Sequence, residues 1–435
     1  MGMTRWFLSL AALPCFGGLI VNSPVVNPSL FNVSTFATGV GFAYSMQNLS
    51  DGSLAVLSSP GFGAGSILRF TDTNHDGVAD GPPTVLYSNG TGPFTGLTKV
   101  GNYYAMGNLG DHTITLLKPG ANPGDPWTAA GSFNFNYGAN WEHNTVGITA
   151  RATPGSPGSY DLVFNVGSQF NDQASVNKVA LTGLASATLD GDSLYAVTID
   201  ETGITPSASN VRKIATGIRN VAGMQFDAAG NFYFADNAID GPGPDGDEPP
   251  QAEELNRILA ANFGTVADFG YPNCYIGYRT GAQVGSGCVL PLLAIQPIPN
   301  GTPLGSESEG PVEIAFAPSS FPTGYNNGVF IVFSGKGSIG PSNEENATGY
   351  YDFGTGTYIH FTENSQLGVG ALIGALSTPN ALYITDASTG TVYQFTSAVP
   401  EPASLVLCAA ALLLGVVRKR TLISTLRGVF FRRLP

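Results

Sequence analysis

Six segments of this chain repeat one pattern: an apolar strand, a tight turn built from Asp, Gly, Asn or Pro, and a second strand of alternating apolar residues. They cover 42–57 (turn Asp51-Gly52), 96–117 (Gly101-Asn102), 146–167 (Gly155 to Ser159), 223–235 (Ala229-Gly230-Asn231), 312–333 (Asn326-Asn327-Gly328) and 372–395 (Pro379-Asn380). A single such hairpin cannot bury its apolar face, so the units must stack on one another. Six of them, unevenly spaced by inserted loops, predict an all-β fold, a six-bladed β-propeller over residues 35–396. A long-looped β-sandwich is the alternative, and the repeated strand–turn–strand argues against it. The 57 glycines and 30 prolines fit many turns and short strands. The one segment expected to be helical within the domain is Gln251 to Ala261, rich in Glu, Leu and Ala.

The two ends read differently. Arg5 precedes an apolar run from Trp6 to Val21, with small residues at Gly17, Gly18 and Ser23. This predicts a secretory signal helix over residues 1–23. At the other end Val399-Pro400-Glu401-Pro402 leads into an uncharged run from Ala403 to Val417 and then Arg418-Lys419-Arg420. Fifteen helical residues span about 22 Å, a short transmembrane helix whose basic flank stays cytoplasmic. The order resembles the PEP-CTERM sorting signal that bacterial exosortase enzymes recognise and cleave. That resemblance implies a sorting segment over 398–420 and an exosortase-type processing partner. It also implies export to the bacterial cell surface, with membrane attachment before or without cleavage. Residues 421–435 add a basic tail containing Arg427, Arg432 and Arg433.

Seven of the 18 Lys and Arg lie in these ends, but of the 31 Asp and Glu only Glu401 does. The domain between them keeps 11 cations against 30 carboxylates, a charge near −19. No nucleic-acid partner is expected, because phosphate contacts need clustered Lys and Arg. The excess carboxylate suits solubility and calcium. With Cys15 and Cys408 in the ends, Cys274 and Cys288 remain in a Gly-rich loop. A disulfide is the natural reading outside the cytoplasm; a metal site would need a further His or Cys close by.

The stretch from Gly217 to Cys274 carries most of the chemistry. It contains Gly217-Ile218-Arg219-Asn220, then Ala235-Asp236-Asn237, Glu253-Glu254-Leu255-Asn256, and Phe269-Gly270-Tyr271-Pro272. Upstream, His143 precedes Asn165-Val166-Gly167-Ser168 by about twenty residues, and downstream Gly335-Lys336-Gly337-Ser338 follows an apolar strand. These motifs resemble the glucose/sorbosone dehydrogenase family, six-bladed propellers that include the quinoprotein sugar dehydrogenases. Glu253 and Tyr271 stand where that family has Asp and Trp. In the last unit 367–372 holds no Arg where the family has one.

The resemblance implies oxidation of a sugar hydroxyl with pyrroloquinoline quinone (PQQ) and calcium. His143 would take the hydroxyl proton, oriented by Glu142, since imidazole titrates near neutrality. Arg219 and Asn220 would hold the quinone oxygen where negative charge develops, with Lys336 as a further cation. Backbone carbonyls at Asn237 and Ala238 would bind calcium. Separately, Asp72-Thr73-Asn74-His75-Asp76-Gly77-Val78-Ala79-Asp80 copies the first half of a calcium loop, with Asp72, Asn74, Asp76, the Val78 carbonyl and Asp80 as ligands. An acidic turn is the plain alternative there, because Pro83 stands where the bidentate Glu belongs. Two functions stay open: a surface-anchored aldose dehydrogenase, and a catalytically degenerate propeller that binds sugar or exopolysaccharide in the extracellular polymer layer. A propeller hydrolase would need carboxylates converging on one calcium, and the sequence shows no such set.

Overall fold

The computed structural model describes residues 19–398 except 145, 242–249, 302–304, 306, 336–347 and 364–370. Residues 1–18 of the expected signal helix (1–23), the sorting helix and the basic tail lie outside the described residues, as does Lys336; within 19–23, Ile20–Val21 is a short strand and not helix. Among the described residues no helix is long and apolar enough to cross a membrane.

Strands of alternating or continuous apolar sequence hydrogen-bond into antiparallel meanders, giving six sheets around one axis. Blade 1 runs through Met46–Asn48, Leu54–Ser58, Ser66–Phe70 and Thr84–Ser88. Blade 2 begins at Phe94–Val100, blade 3 at Ile148–Ala152, blade 4 at Val221–Phe226, blade 5 at Pro311–Phe316 and blade 6 at Leu372–Ser377. Each of these innermost strands packs on the next, and blade 6 packs back on blade 1, so the ring is closed. Apolar clusters fill the wedges between blades, among them Leu162, Phe164 and Val197 of blade 3 against Phe133 and Phe135 of blade 2. All six sequence repeats begin on the first two strands of a blade, and those at 96–117 and 372–395 run on into the third.

The ring is closed by hydrogen bonds as well as by packing. Phe31–Thr38, near the N-terminus, forms the outermost strand of blade 6 and pairs with Thr391–Ser397, from Phe31 opposite Ser397 to Thr38 opposite Thr391. Three shorter links cross between blades. After its second strand, blade 3 sends the hairpin Lys178–Asp190 to the outer edge of blade 2. Ala267–Asp268, from the chain after the third strand of blade 4, pairs in parallel with Ala215 and Thr216 of blade 3. Ile20–Val21 pairs with Thr362–Glu363, and Leu19 and Val21 are buried with Phe361 beside blades 5 and 6.

Around the axis the innermost strands approach so closely that side chains are excluded at one register. A Cβ on Gly147 would lie 2.5 Å from the Ala222 carbonyl oxygen, on Gly223 2.6 Å from Glu313 Cα, and on Gly374 2.5 Å from the Ala43 carbonyl oxygen. Gly96 occupies the same place in blade 2, directly after a β-bulge that recurs in blades 4, 5 and 6. In blade 5 the residue following that bulge is Glu313.

One expectation fails. Gln251–Ala261 is not a helix: Glu253–Ile258 is the third strand of blade 4, with Glu254 opposite Asp236 and Glu253 opposite Ile295. Only a 3-10 turn, Ala260–Asn262, is helical there. Local helix preference among Glu, Leu and Ala amounts to tenths of a kcal/mol per residue, about 0–0.7. Satisfying the open edge of Phe232–Asp236 and burying Leu255 and Ile258 outweigh it. The disulfide expectation holds, with Cys274 bonded to Cys288 at a separation of 14 residues.

The close approach of the blades is testable. Gly223→Ala should destabilise the fold by about 1–3 kcal/mol, because the new methyl meets backbone that cannot give way. Gly138→Ala, in open space, should stay within about 0.5 kcal/mol of the parent in denaturant unfolding.

Candidate functional site

In an antiparallel blade the start of the innermost strand and the end of the second strand share one rim. His143 precedes the innermost strand of blade 3, and Arg219 and Asn220 precede that of blade 4. Ser168 to Asn171 follow the second strand of blade 3, and Asp236 to Asp240 end and follow that of blade 4. The fold thus brings His143, Arg219, Asn220, Asn237 and Ala238 to one rim. The Asp72–Asp80 loop follows the third strand of blade 1, whose end Phe70 pairs with Leu54 at the start of the second strand. It therefore lies on the opposite rim, apart from the other candidates.

His143 is half-buried, and Ser168 rather than Glu142 orients it. Its Nδ1 lies 2.7 Å from Ser168 Oγ and 3.1 Å from the Ser168 carbonyl oxygen. Ser168 Oγ donates its own proton to the Phe170 carbonyl at 2.7 Å, so it can only accept from Nδ1–H. The network fixes the tautomer and leaves Nε2 as an acceptor. Burial, and then the nearby Arg219 charge, push the His143 pKa down to about 4, so the ring is neutral at physiological pH.

Arg219 is only 2% exposed, and its guanidinium is already committed. Nε donates to the Asn171 carbonyl at 3.0 Å, Nη2 donates to Asn171 Oδ1 at 2.7 Å, and Nη2 also pairs with Asp240. Asp240 N–H donates to Asn171 Oδ1 at 2.9 Å, which ties the three residues together. Asn171 and Asp240 escaped the sequence reading. Asn171 belongs to the segment that follows the Val-Gly-Ser motif, but no local pattern marks Asp240 as its partner 69 residues away.

Below the rim sits a group of buried acids on blade 4. Asp236 accepts from the backbone N–H of Arg219 at 3.0 Å and of Asn220 at 2.7 Å, and burial lifts its pKa to about 6. Glu253 accepts from Ala238 N–H at 2.6 Å and Gly310 N–H at 2.8 Å; burial lifts it to about 8. These bonds tie the loop of blade 4 to the entry of blade 5. Asn237 adds Nδ2 bonds to the Asn220 and Pro311 carbonyls, and the Asn220 amide oxygen is buried without a partner.

In the Asp72–Asp80 loop the oxygens serve the loop itself. Asp72 accepts from Asp76 and Gly77 N–H, Asp76 from Val78 N–H, and Asp80 from Thr73 N–H and hydroxyl. Among the described residues no three His, Cys, Asp or Glu side chains are grouped to hold a metal ion.

On the axis lies a cavity of about 230 Å³ to which all six innermost strands contribute, through residues such as Gln47, Thr98, Thr149, Gln225 and Ser377. Its lining is mostly neutral and polar, and Glu313 is the ionisable group in it. Burial pushes the Glu313 carboxyl well above the ordinary carboxylate range, and one of its oxygens accepts from Ile314 N–H at 3.0 Å.

No family model and no curated protein matches the sequence. Solved structures do. The holo form of a pyranose dehydrogenase PQQ domain from Coprinopsis cinerea aligns with a TM-score of 0.56 at 15% identity, covering 87% of this chain and 97% of that one. The calcium structure of a Trichoderma reesei carbohydrate-active enzyme of family AA12 aligns with the same TM-score and identity, covering 88% and 98%. A PQQ-bound aldose sugar dehydrogenase from Streptomyces coelicolor is more distant, with a TM-score of 0.45 at 15% identity over 86% of this chain and 100% of that one. The first two establish the six-bladed propeller fold.

The residues described do not fit a tricarboxylate quinone. Such an anion needs free cations, whereas the Arg219 fork is taken by Asn171 and carries the carboxylate of Asp240, which is 81% exposed.

Two pH measurements probe this site. The His143 ring should titrate near pH 4 by NMR, and Arg219→Gln should move that midpoint upward, since the guanidinium opposes protonation. For Glu313 the folded-state pKa is raised, so the folded protein holds the proton more tightly than the unfolded chain does. The resulting cost to stability is absent below the unfolded pKa of about 4.3 and grows as pH rises towards the folded value. Glu313→Gln should therefore raise Tm at pH 7 and leave it nearly unchanged at pH 4.

Proposed function

We propose that this chain is an exported propeller, held at the bacterial surface through residues 398–420, whose His143 rim binds a carbohydrate of the extracellular polymer layer. The observation that carries this reading is the engagement of Arg219 by Asn171 and Asp240, which fills the position a quinone oxygen and carboxylate would need. What remains on the rim suits a neutral polyol. His143 Nε2 is a neutral acceptor for a hydroxyl proton, in a ring held by Ser168.

The same rim carries an aromatic platform. Phe42 and Tyr44 precede the innermost strand of blade 1, and Phe62 follows the end of its second strand. Phe62 meets Phe42 edge-on at 5.3 Å and Tyr44 at 6.2 Å, yet remains 45% exposed. Its φ of 63° is a left-handed conformation that costs a bulky residue free energy. A ring held out in this way offers an apolar face to the C–H side of a sugar ring.

A second reading, a sugar dehydrogenase of the quinoprotein type, is favoured by one observation. The fixed tautomer of His143 is the form a general base requires. The experiment separates the two. Calorimetry with neutral oligosaccharides should show binding that Phe62→Ala weakens at least about tenfold, the loss expected for one buried aromatic contact. Added PQQ and calcium should produce no spectral change. Quinone-dependent dye reduction by aldoses, abolished in a folded His143→Ala variant, would overturn the binding reading in favour of the enzyme.

A further inference from the structure

We propose that the rim opposite His143 carries a second binding site, for a neutral saccharide, in the pocket between blades 6 and 1 beside the Asp72–Asp80 loop. The pocket encloses about 420 Å³, inside the ~300–1,000 Å³ range of small-molecule sites. Its floor is the apolar wedge between the two blades, where Phe36, Leu54 and Phe70 are buried. Tyr383, half-buried, forms a wall and meets Phe36 edge-on at 5.3 Å. Three polar side chains reach the pocket from separate elements. Asn48 ends the innermost strand of blade 1, Asn380 lies in the turn that follows that of blade 6, and His75 belongs to the loop.

The loop is fastened over this seam in advance of any ligand. Ala79 N–H donates to the Phe36 carbonyl at 2.8 Å, and Ser34 Oγ donates to the Gly77 carbonyl at 3.1 Å. A Cβ on Gly77 would lie 2.5 Å from Gln394 Oε1, so only glycine lets the loop close against blade 6. Within the loop Asp72, Asn74 and Asp76 accept main-chain N–H groups. That turn holds His75 at a φ of 56°, a left-handed conformation with a free-energy cost that the surrounding bonds offset. The imidazole is thereby kept at the edge of the pocket.

The free hydrogen-bonding groups suit a polyol. Asn48, His75 and Asn380 are exposed, and their side chains hydrogen-bond to no described residue. Each amide offers a donor beside an acceptor, which matches two neighbouring hydroxyls of a sugar. The Tyr383 hydroxyl oxygen accepts from Gln394 Nε2 at 2.8 Å, and its own proton has no acceptor among the described residues. A charged ligand finds little here. Among the described residues no Lys or Arg lines the pocket, and Asp72, its carboxylate, already accepts the Asp76 and Gly77 N–H groups. A neutral sugar ring instead lays its C–H face on the apolar floor and gives its hydroxyls to Tyr383 and the amides. Sites on opposite rims let one molecule bridge two polymer chains. The pocket stands on its own residues, whereas the bridging rests on the reading of the His143 rim given above.

The test is calorimetry on the purified full chain with neutral gluco-, galacto- and manno-oligosaccharides. Phe62→Ala, which weakens the His143 rim, should retain one equivalent of binding. Adding Asn48→Ala and Asn380→Ala should weaken that equivalent at least about tenfold, the loss of two hydrogen bonds, with Tm unchanged because both positions are exposed. Should the combined variant not fold, Tyr383→Phe takes its place and should weaken binding about fivefold. The parent should also raise light scattering when mixed with a soluble galactomannan, and either Phe62→Ala or the two asparagine changes should remove the rise. No bound saccharide in Phe62→Ala would overturn the proposal, as would equal binding with and without the asparagine or tyrosine changes. A parent with one equivalent, untouched by Phe62→Ala but lost with the asparagines, upholds the pocket and refutes the rim.

Discussion

The rest of the structure depends on ring closure. A propeller blade buries its faces only against its neighbours, so an open arc would leave apolar sheet exposed at both ends. Here Phe31–Thr38 completes blade 6, and its backbone bonds to Thr391–Ser397 join an early strand of the described chain to the last. The innermost strands then meet at glycine, in van der Waals contact with the neighbouring backbone. The shorter links, Lys178–Asp190 on blade 2 and Ala267–Asp268 on blade 3, hold adjacent blades in register at the edges.

Closure also fixes the site. Because every blade is an antiparallel meander, the chain returns to the same rim each time it enters an innermost strand. His143, Arg219 and Asn220 meet there for that reason, and so do Phe42, Tyr44 and Phe62. Buried acids support the rim from below. Asp236 and Glu253 accept backbone N–H groups of the very loops that carry Arg219, Ala238 and Gly310, so their oxygens act as fixed anchors for the rim. Arg219 therefore contributes twice, through its main chain to Asp236 and through its side chain to Asn171 and Asp240. The second contact separates this rim from one that would receive a polyanion.

The axis shows the reverse relation between repeat and exception. Four blades place Gly at the inner register, as Gly96, Gly147, Gly223 and Gly374, and blade 5 places Glu313 there, inside a neutral polar cavity. The fold accommodates the acid by burying it, which raises its pKa and lowers stability at neutral pH.

The strand–turn–strand repeats determined the blade number and most of the turns, because alternation and turn chemistry are local. Arg219-Asn220 and His143 were likewise legible as motifs, and Cys274 with Cys288 as a pair. The helix expected at Gln251–Ala261 was wrong for the opposite reason: its propensity is local, whereas the strand edge that overrides it belongs to Phe232–Asp236. Glu142 was the natural partner for His143 by adjacency, yet Ser168, 25 residues on, holds the ring. By itself, then, the sequence determined an all-β propeller and named several residues of its rim. Only the tertiary structure decided that Arg219 is spent on Asn171 and Asp240 and that the Asp72–Asp80 loop stands on the far rim. Hydrogen-bond partners at these separations are set by how blades pack, and no local pattern in the chain encodes them.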